Sequence, residues 1–127
     1  MSDADHDPSM PVRLGTLEQQ VMDALWDHGP LTIREVINRL DGDPAYTTIA
    51  TVLANLQRKG LVTPRREGRT VRFEAQHSRE EHVARVMGHA LSASHDRVAS
   101  ILYFIDTLDS ADAKMLRDYL AENGGGE

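Results

Sequence analysis

Three groups of side chains in this sequence could do chemistry. Four of the six histidines, His77, His82, His89 and His95, stand close together along the chain. On a helix turning about 100° per residue, His82 and His89 share a face but lie roughly 10 Å apart along the axis. One ion cannot bridge them from a rigid helix, so a metal or haem site using His82, His89 or His95 needs a ligand from elsewhere, such as a second chain. The plainer reading is helical histidines with no metal and no cofactor. The sequence holds no cysteine, which excludes a disulfide framework, a thiolate zinc site and a cysteine nucleophile. It also lacks His-Glu-x-x-His, Gly-x-Ser-x-Gly and a glycine-rich phosphate loop. A small metal-dependent enzyme is therefore disfavoured, and the expectation is a protein that is not an enzyme.

The second group is Tyr46, Thr47, Thr48, Thr51 and Asn55. Short hydroxyl and amide side chains can approach base edges or phosphates closely, and an asparagine can pair bidentately with adenine. Threonine is a poor filler for a merely solvated helix face. The third group follows directly: Arg58 and Lys59, then Arg65, Arg66, Arg69 and Arg72. Guanidinium groups near a protruding tip could straddle a nucleic-acid backbone or enter a minor groove. The same charges could instead protect an exposed strand edge from aggregation.

The whole chain carries a formal net charge of -6 over 127 residues. Its distribution matters more than its total, because salt screens charges beyond about 8 to 10 Å. Residues 45–73 set six basic side chains against the single acid Glu67, whereas residues 77–127 are acidic on balance. The middle of the chain is thus the candidate binding surface. With 40% apolar and 27% charged residues, the length suits one ordinary domain or two very small ones and rules out a large catalytic barrel. No run approaches the roughly 18 to 20 apolar residues of a membrane span. Asp3, Asp5 and Asp7 stand where a signal peptide wants positive charge, so no membrane insertion and a cytoplasmic location are expected.

These groups need elements to position them. Residues 1–12 lack periodicity and read as a disordered acidic arm, and residues 124–127 as a flexible tail. Thr16 with Gln19 predicts a capping box, after which Leu17, Val21, Ala24 and Leu25 recur at helical spacing until Gly29-Pro30. Thr32 with Glu35 predicts a second, opening a helix with Ile33, Val36, Ile37 and Leu40 on one stripe. A third helix starts near Tyr46, buries Ile49, Val52, Leu53 and Leu56, and ends at Lys59-Gly60. The runs 61–66 and 69–75 then predict a hairpin turning at Glu67-Gly68. Three short helices before a basic hairpin is the order of a winged helix-turn-helix, over residues 13–76.

Residues 77–123 read as a helical dimerisation region. Ser78 with Glu81 caps a helix carrying Val83, Val86 and Met87; a second run carries Ile101, Leu102 and Ile105; a third, starting near Asp109 or Ser110, carries Leu116 and Leu120. Three short helices enclose little core alone, so their apolar stripes are expected to meet a second copy. The fold class is mainly α with a small β-hairpin.

Several stretches resemble the penicillinase-repressor family (BlaI, MecI and CopY) of winged-helix regulators: residues 17–26, from Leu17 to Trp26; Thr32-Ile33-Arg34-Glu35-Val36; residues 45–56, with Ala45-Tyr46-Thr47-Thr48; and Lys59-Gly60-Leu61-Val62. The resemblance runs from about Leu14 to Leu120; over the C-terminal half it rests on helical pattern and on Leu108-Asp109-Ser110. It implies a homodimeric repressor on a palindromic double-stranded operator. By that likeness Thr47, Thr48 and Thr51 contact DNA, Tyr46 positions the helix, and Arg65, Arg66 or Arg69 serve the wing; for Trp26 the plainer reading, packing against the core, is preferred to a DNA contact. With Asn55 and Arg58 these form the expected DNA-binding set. The resemblance also implies a membrane sensor-protease that cuts an Asn-Phe bond, or a cysteine cluster that senses copper. Here neither Phe73 nor Phe104 follows an asparagine, and cysteine is absent. The rival readings are a winged-helix module that binds protein instead of an operator, and a metal- or haem-responsive repressor using the histidines.

Overall fold

A computed structural model of the chain describes residues 14–124; the expected acidic arm and the last three residues of the expected tail lie outside the described residues. Helix α1 (Thr16–His28) starts one residue earlier than the sequence suggests. Gly15 is its N-cap, and the Glu18 carboxylate accepts the Gly15 N–H at 3.1 Å. Thr16 therefore sits inside the first turn, and Gln19 reaches forward to Asp23. Helix α2 (Ile33–Arg39) opens on the expected box: Thr32 Oγ1 accepts from Glu35 N at 3.1 Å and Glu35 Oε1 accepts from Thr32 N at 2.9 Å. Gly42 and Asp43 both take left-handed φ, 83° and 48°, a conformation glycine and aspartate tolerate best, and they turn the chain into α3 (Tyr46–Arg58).

Helix α3 ends in a full Schellman motif. Gly60, at φ 79°, donates to Gln57 O at 3.0 Å, and Leu61 N donates to Leu56 O at 2.9 Å. That closure delivers Leu61 and Val62 to the core and launches the hairpin of β1 (Val62–Glu67) and β2 (Thr70–Ala75). The strands are antiparallel, with Val62 opposite Ala75 and Glu67 opposite Thr70. The two turn residues are therefore Gly68 and Arg69, one position later than expected. Gly68 supplies the positive φ, 64°, that the first place of a tight hairpin turn requires. Leu31 adds a one-residue third strand: it exchanges backbone hydrogen bonds of 3.0 and 2.8 Å with Phe73.

The core lies between the three helices and the base of the hairpin. Val21, Met22, Leu25, Val36, Ile49, Leu53 and Leu56 are all but sealed from water. Each such aliphatic side chain contributes about 1.5 to 3 kcal/mol by leaving solvent.

Ser78 and Glu81 form the predicted capping box of α4 (Arg79–Ser92), with bonds of 2.9 and 3.0 Å. The first turns of α4 dock on α1. Trp26, half-buried against the core, donates its indole N–H to His77 O at 2.8 Å. The Arg79 guanidinium lies 5.2 Å from the Trp26 ring centre and bonds Asp23 and Asp27 at 3.2 and 2.9 Å. His82 is buried, its ring 5.5 Å from that of Trp26, and its Nδ1 has no hydrogen-bond partner. These contacts explain why the chain divides into compact units at residues 89 and 90, not at 76 and 77 as the composition shift suggests.

The second unit holds α5 (Arg97–Asp106), capped by Asp96, and α6 (Ser110–Asn123), capped by Asp109. No residue of either helix is buried. Gly124, placed in the tail by sequence, is the C-cap of α6.

Two outcomes are expected. Leu53→Ala should cost about 2 to 5 kcal/mol in a urea titration, since it empties part of a sealed core; a cost under about 1 kcal/mol would contradict that packing. Burial, then the charges of His77 and Arg85, depress the His82 pKa below its ordinary 6.5. The unfolded chain binds that proton more tightly, so stability should fall as pH drops from about 6.5 toward the native value. In His82→Phe this part of the decline should disappear; an unchanged decline would remove His82 as its source.

Candidate nucleic-acid interface

The sealed stripe of α3, Ile49, Leu53 and Leu56, faces the core, so helical geometry decides what faces out. Thr47, Thr51, Ala54 and Arg58 project within about 60° of one another on the opposite side, flanked by Thr48 and Asn55. Thr47, Thr48, Thr51 and Arg58 are exposed and Asn55 is half-buried. Asn55 Oδ1 accepts from the Arg58 guanidinium at 3.1 Å, so these two of the expected residues hold one another. Tyr46 stands half-exposed at the start of α3, with the Arg34 guanidinium 5.4 Å from its ring centre. Arg34 and Ala54 belong to this surface and were not anticipated. Helical spacing alone places Ala54 there, whereas nothing local to α2 brings Arg34 over Tyr46.

The six cations of the basic segment do not act alike. Lys59 Nζ pairs with Glu18 at 2.9 Å, with side-chain exposures of only 15% and 19%. Burial opposes the ionised Glu18, but the Lys59 bond, the Gly15 N–H, and the Lys59 and Arg58 charges outweigh it and hold its pKa below the usual 4.5. Arg72 bonds Glu35 at 2.6 Å and Glu67 at 3.2 Å. Lys59 and Arg72, basic residues of this segment that are not in the expected DNA-binding set, are thus engaged in holding the fold. Arg65 meets Glu74 at 2.9 Å in an exposed pair, a kind worth about 0 to 1 kcal/mol and easily exchanged for a phosphate. Arg66 and Arg69, exposed at the hairpin tip, have no hydrogen bond or ion pair with any described residue.

Of the histidine candidates, His82 is committed to the Trp26 contact, His89 is half-buried and His95 is exposed. Among the described residues no group of three or more histidines, aspartates or glutamates could hold a metal ion. The residues expected to dimerise are largely open to solvent: Val83, Met87, Ile101, Leu102, Ile105 and Leu120 are exposed, and Val86 and Leu116 are half-buried.

Three helices, a hairpin with a one-residue third strand, and a third helix showing a threonine-rich face define a winged helix-turn-helix protein. The chain belongs to the penicillinase repressor family, whose family model matches residues 14–122. Transcriptional regulator BlaI from two strains of Mycobacterium tuberculosis is 41% identical over 116 residues, covering 87% of this chain and 84% of that protein. The family is one of transcriptional regulators and not of enzymes. Among solved structures, a MarR family protein from Bacillus stearothermophilus covers 91% of this chain and 76% of its own, with a TM-score of 0.50 and 16% identity, a likeness of fold.

The division of the cations is testable without any ligand. Lys59→Ala should lower stability in urea by about 1 to 2 kcal/mol, between the costs of breaking exposed and buried pairs. Arg69→Ala should stay within about 0.5 kcal/mol of the unaltered protein. Equal effects would contradict the assignment of one cation to the fold and the other to the surface.

Proposed function

We propose that this protein is a DNA-binding transcriptional repressor that acts as a homodimer on a palindromic operator. The observation that carries the reading is the pairing, on one small domain, of an outward threonine face on α3 with two unpaired arginines at the wing tip. Helix α3 enters the major groove, where Thr47, Thr48 and Thr51 reach base edges or phosphates. Arg66 and Arg69, with Arg58 and Arg65, meet the backbone. Two copies place their α3 helices in successive major grooves about 34 Å apart.

The dimer follows from surface that one chain leaves uncovered. On α5, Ile101, Leu102 and Ile105 are 38 to 56% exposed, and Leu120 of α6 is 55% exposed. Apolar surface of this kind marks an interface. The acidic balance of residues 77–127 discourages DNA from that part of the chain, leaving the basic wing as the docking face. This reading needs no metal, haem or other cofactor. We place the protein in the cytoplasm, with the DNA it regulates. Among the described residues no helix is long and apolar enough to cross a membrane. A membrane sensor-protease acting in the family manner would have to cut a bond other than Asn-Phe, which this sequence lacks.

Binding to duplex from upstream of its own gene, against random duplex and across a salt series, tests the reading. Specific binding should exceed random binding by about a thousandfold or more. Arg69→Ala should weaken both and reduce the salt slope by about 0.9, the loss of one phosphate contact. Thr48→Ala should narrow the gap between the two duplexes; an equal loss on both would remove it from base reading. Ile101→Glu should convert dimer to monomer in sedimentation; an unchanged dimer would move the interface elsewhere. Binding that ignores both salt and sequence would favour a module that docks on protein.

A further inference from the structure

The wing carries an arrangement that its sequence conceals. Arg65 and Arg72 sit directly opposite each other in the hairpin register, a placement that repels like charges. Each is drawn away by its own carboxylate, Arg65 to Glu74 and Arg72 to Glu35. The Arg72 partner is itself fixed in place. Glu35 Oε1 already accepts the Thr32 N–H that caps α2, so the oxygen that meets Arg72 cannot wander. Arg72 Nε donates to Glu67, the residue before the turn glycine on the opposite strand. One planar guanidinium thus joins the start of α2, the end of β1 and its own strand β2. The hydrogen bond from Thr32, then the Arg72 charge and bond, overcome partial desolvation and hold the Glu35 pKa below the usual carboxylate range, so the clamp stays charged at neutral pH.

The base of the hairpin has a separate anchor in the Leu31 and Phe73 backbone bonds. Beyond Phe73, among the described residues, the Glu35 bond is the hydrogen-bonded ion pair that ties the outer hairpin to the helical body. Arg66 and Arg69 lie in that outer part. We propose that Arg72 is a positioning residue, not a phosphate contact: its clamp on Glu35 and Glu67 sets the angle of the wing so that Arg66 and Arg69 arrive at the DNA backbone already ordered. The proposal rests on the DNA-binding reading above and assigns the wing cations unlike roles. A lysine could not replace Arg72, because an ammonium lacks the rigid fork that reaches two carboxylates at once.

A mutant cycle on the full chain tests this, with duplex from upstream of its own gene as the probe. Arg72→Ala should weaken binding about tenfold with an unchanged salt slope, because it loses preorganisation and not a counterion-releasing contact. Arg72→Lys should behave the same way, with helical content by circular dichroism equal to that of the unaltered protein. In a background already carrying Arg65→Ala, Arg66→Ala and Arg69→Ala, Arg72→Ala should change affinity less than twofold, since there is no wing cation left to position. The same loss in both backgrounds would show a general effect on the fold and overturn the proposal. A slope reduced by about 0.9 would show a direct phosphate contact and overturn it too, as would an unchanged affinity. Failure of the unaltered protein to bind any duplex in a salt-dependent way would overturn the DNA-binding reading itself, before any variant is made.

Discussion

Burial of Ile49, Leu53 and Leu56 is the constraint on which the rest of the structure depends. Those three side chains fix the rotation of α3 about its own axis, because turning the helix by one residue would expose about 100° of sealed surface. With that rotation fixed, Thr47, Thr51, Ala54 and Arg58 can only face outward. The left-handed pair Gly42-Asp43 sets the approach to the helix, and the Schellman closure at Gly60 sets its exit. The wing inherits its starting point from that exit, so the threonine face of α3 and the arginine tip of the hairpin are positioned by one core.

Charge follows a similar economy. A protein of net charge -6 can dock on a polyanion only if its few available cations are gathered and its acids are occupied or remote. Glu18, Glu35, Glu67 and Glu74 between them occupy three cations of the basic segment, Lys59, Arg72 and Arg65, and two of them, Glu18 and Glu35, also accept a backbone N–H at a helix start. What no carboxylate occupies is Arg58 on α3 and a small tip bearing Arg66 and Arg69. Its reach depends on geometry more than on total charge, which is why the position of the hairpin matters as much as its composition.

Most elements were legible in the sequence because their signals are local. Thr32 with Glu35 and Ser78 with Glu81 satisfy backbone donors within one turn, and the glycine after Lys59 ends α3 for a reason internal to that turn. The misses have the opposite character. At α1 the box expected at Thr16 gives way to a start one residue earlier, where the Glu18 carboxylate that accepts the Gly15 N–H also meets Lys59 from forty-one positions away. Leu31 forms a strand of one residue, too short to show a period. The partners of Arg72 and Lys59 lie on α2 and α1, so their removal from the binding surface cannot be read from the basic segment alone. The docking of α4 on α1, which moves the division of the chain to residues 89 and 90, depends likewise on Trp26 and Arg79 meeting across fifty-odd residues.

The candidate site was legible as residue types and incomplete as roles: threonines at helical spacing signalled a surface, while structure was needed to separate paired from unpaired cations. The central claim is that the outward face of α3 enters the major groove, twice, from two chains. Guanine N7 methylation protection on duplex from upstream of the gene tests it directly, since N7 lies in the major groove. The account predicts two protected patches on one face of the duplex, separated by about one helical turn of 10 base pairs or a multiple of it. A single patch, or no protected guanine N7 on a duplex that the protein binds, would contradict it.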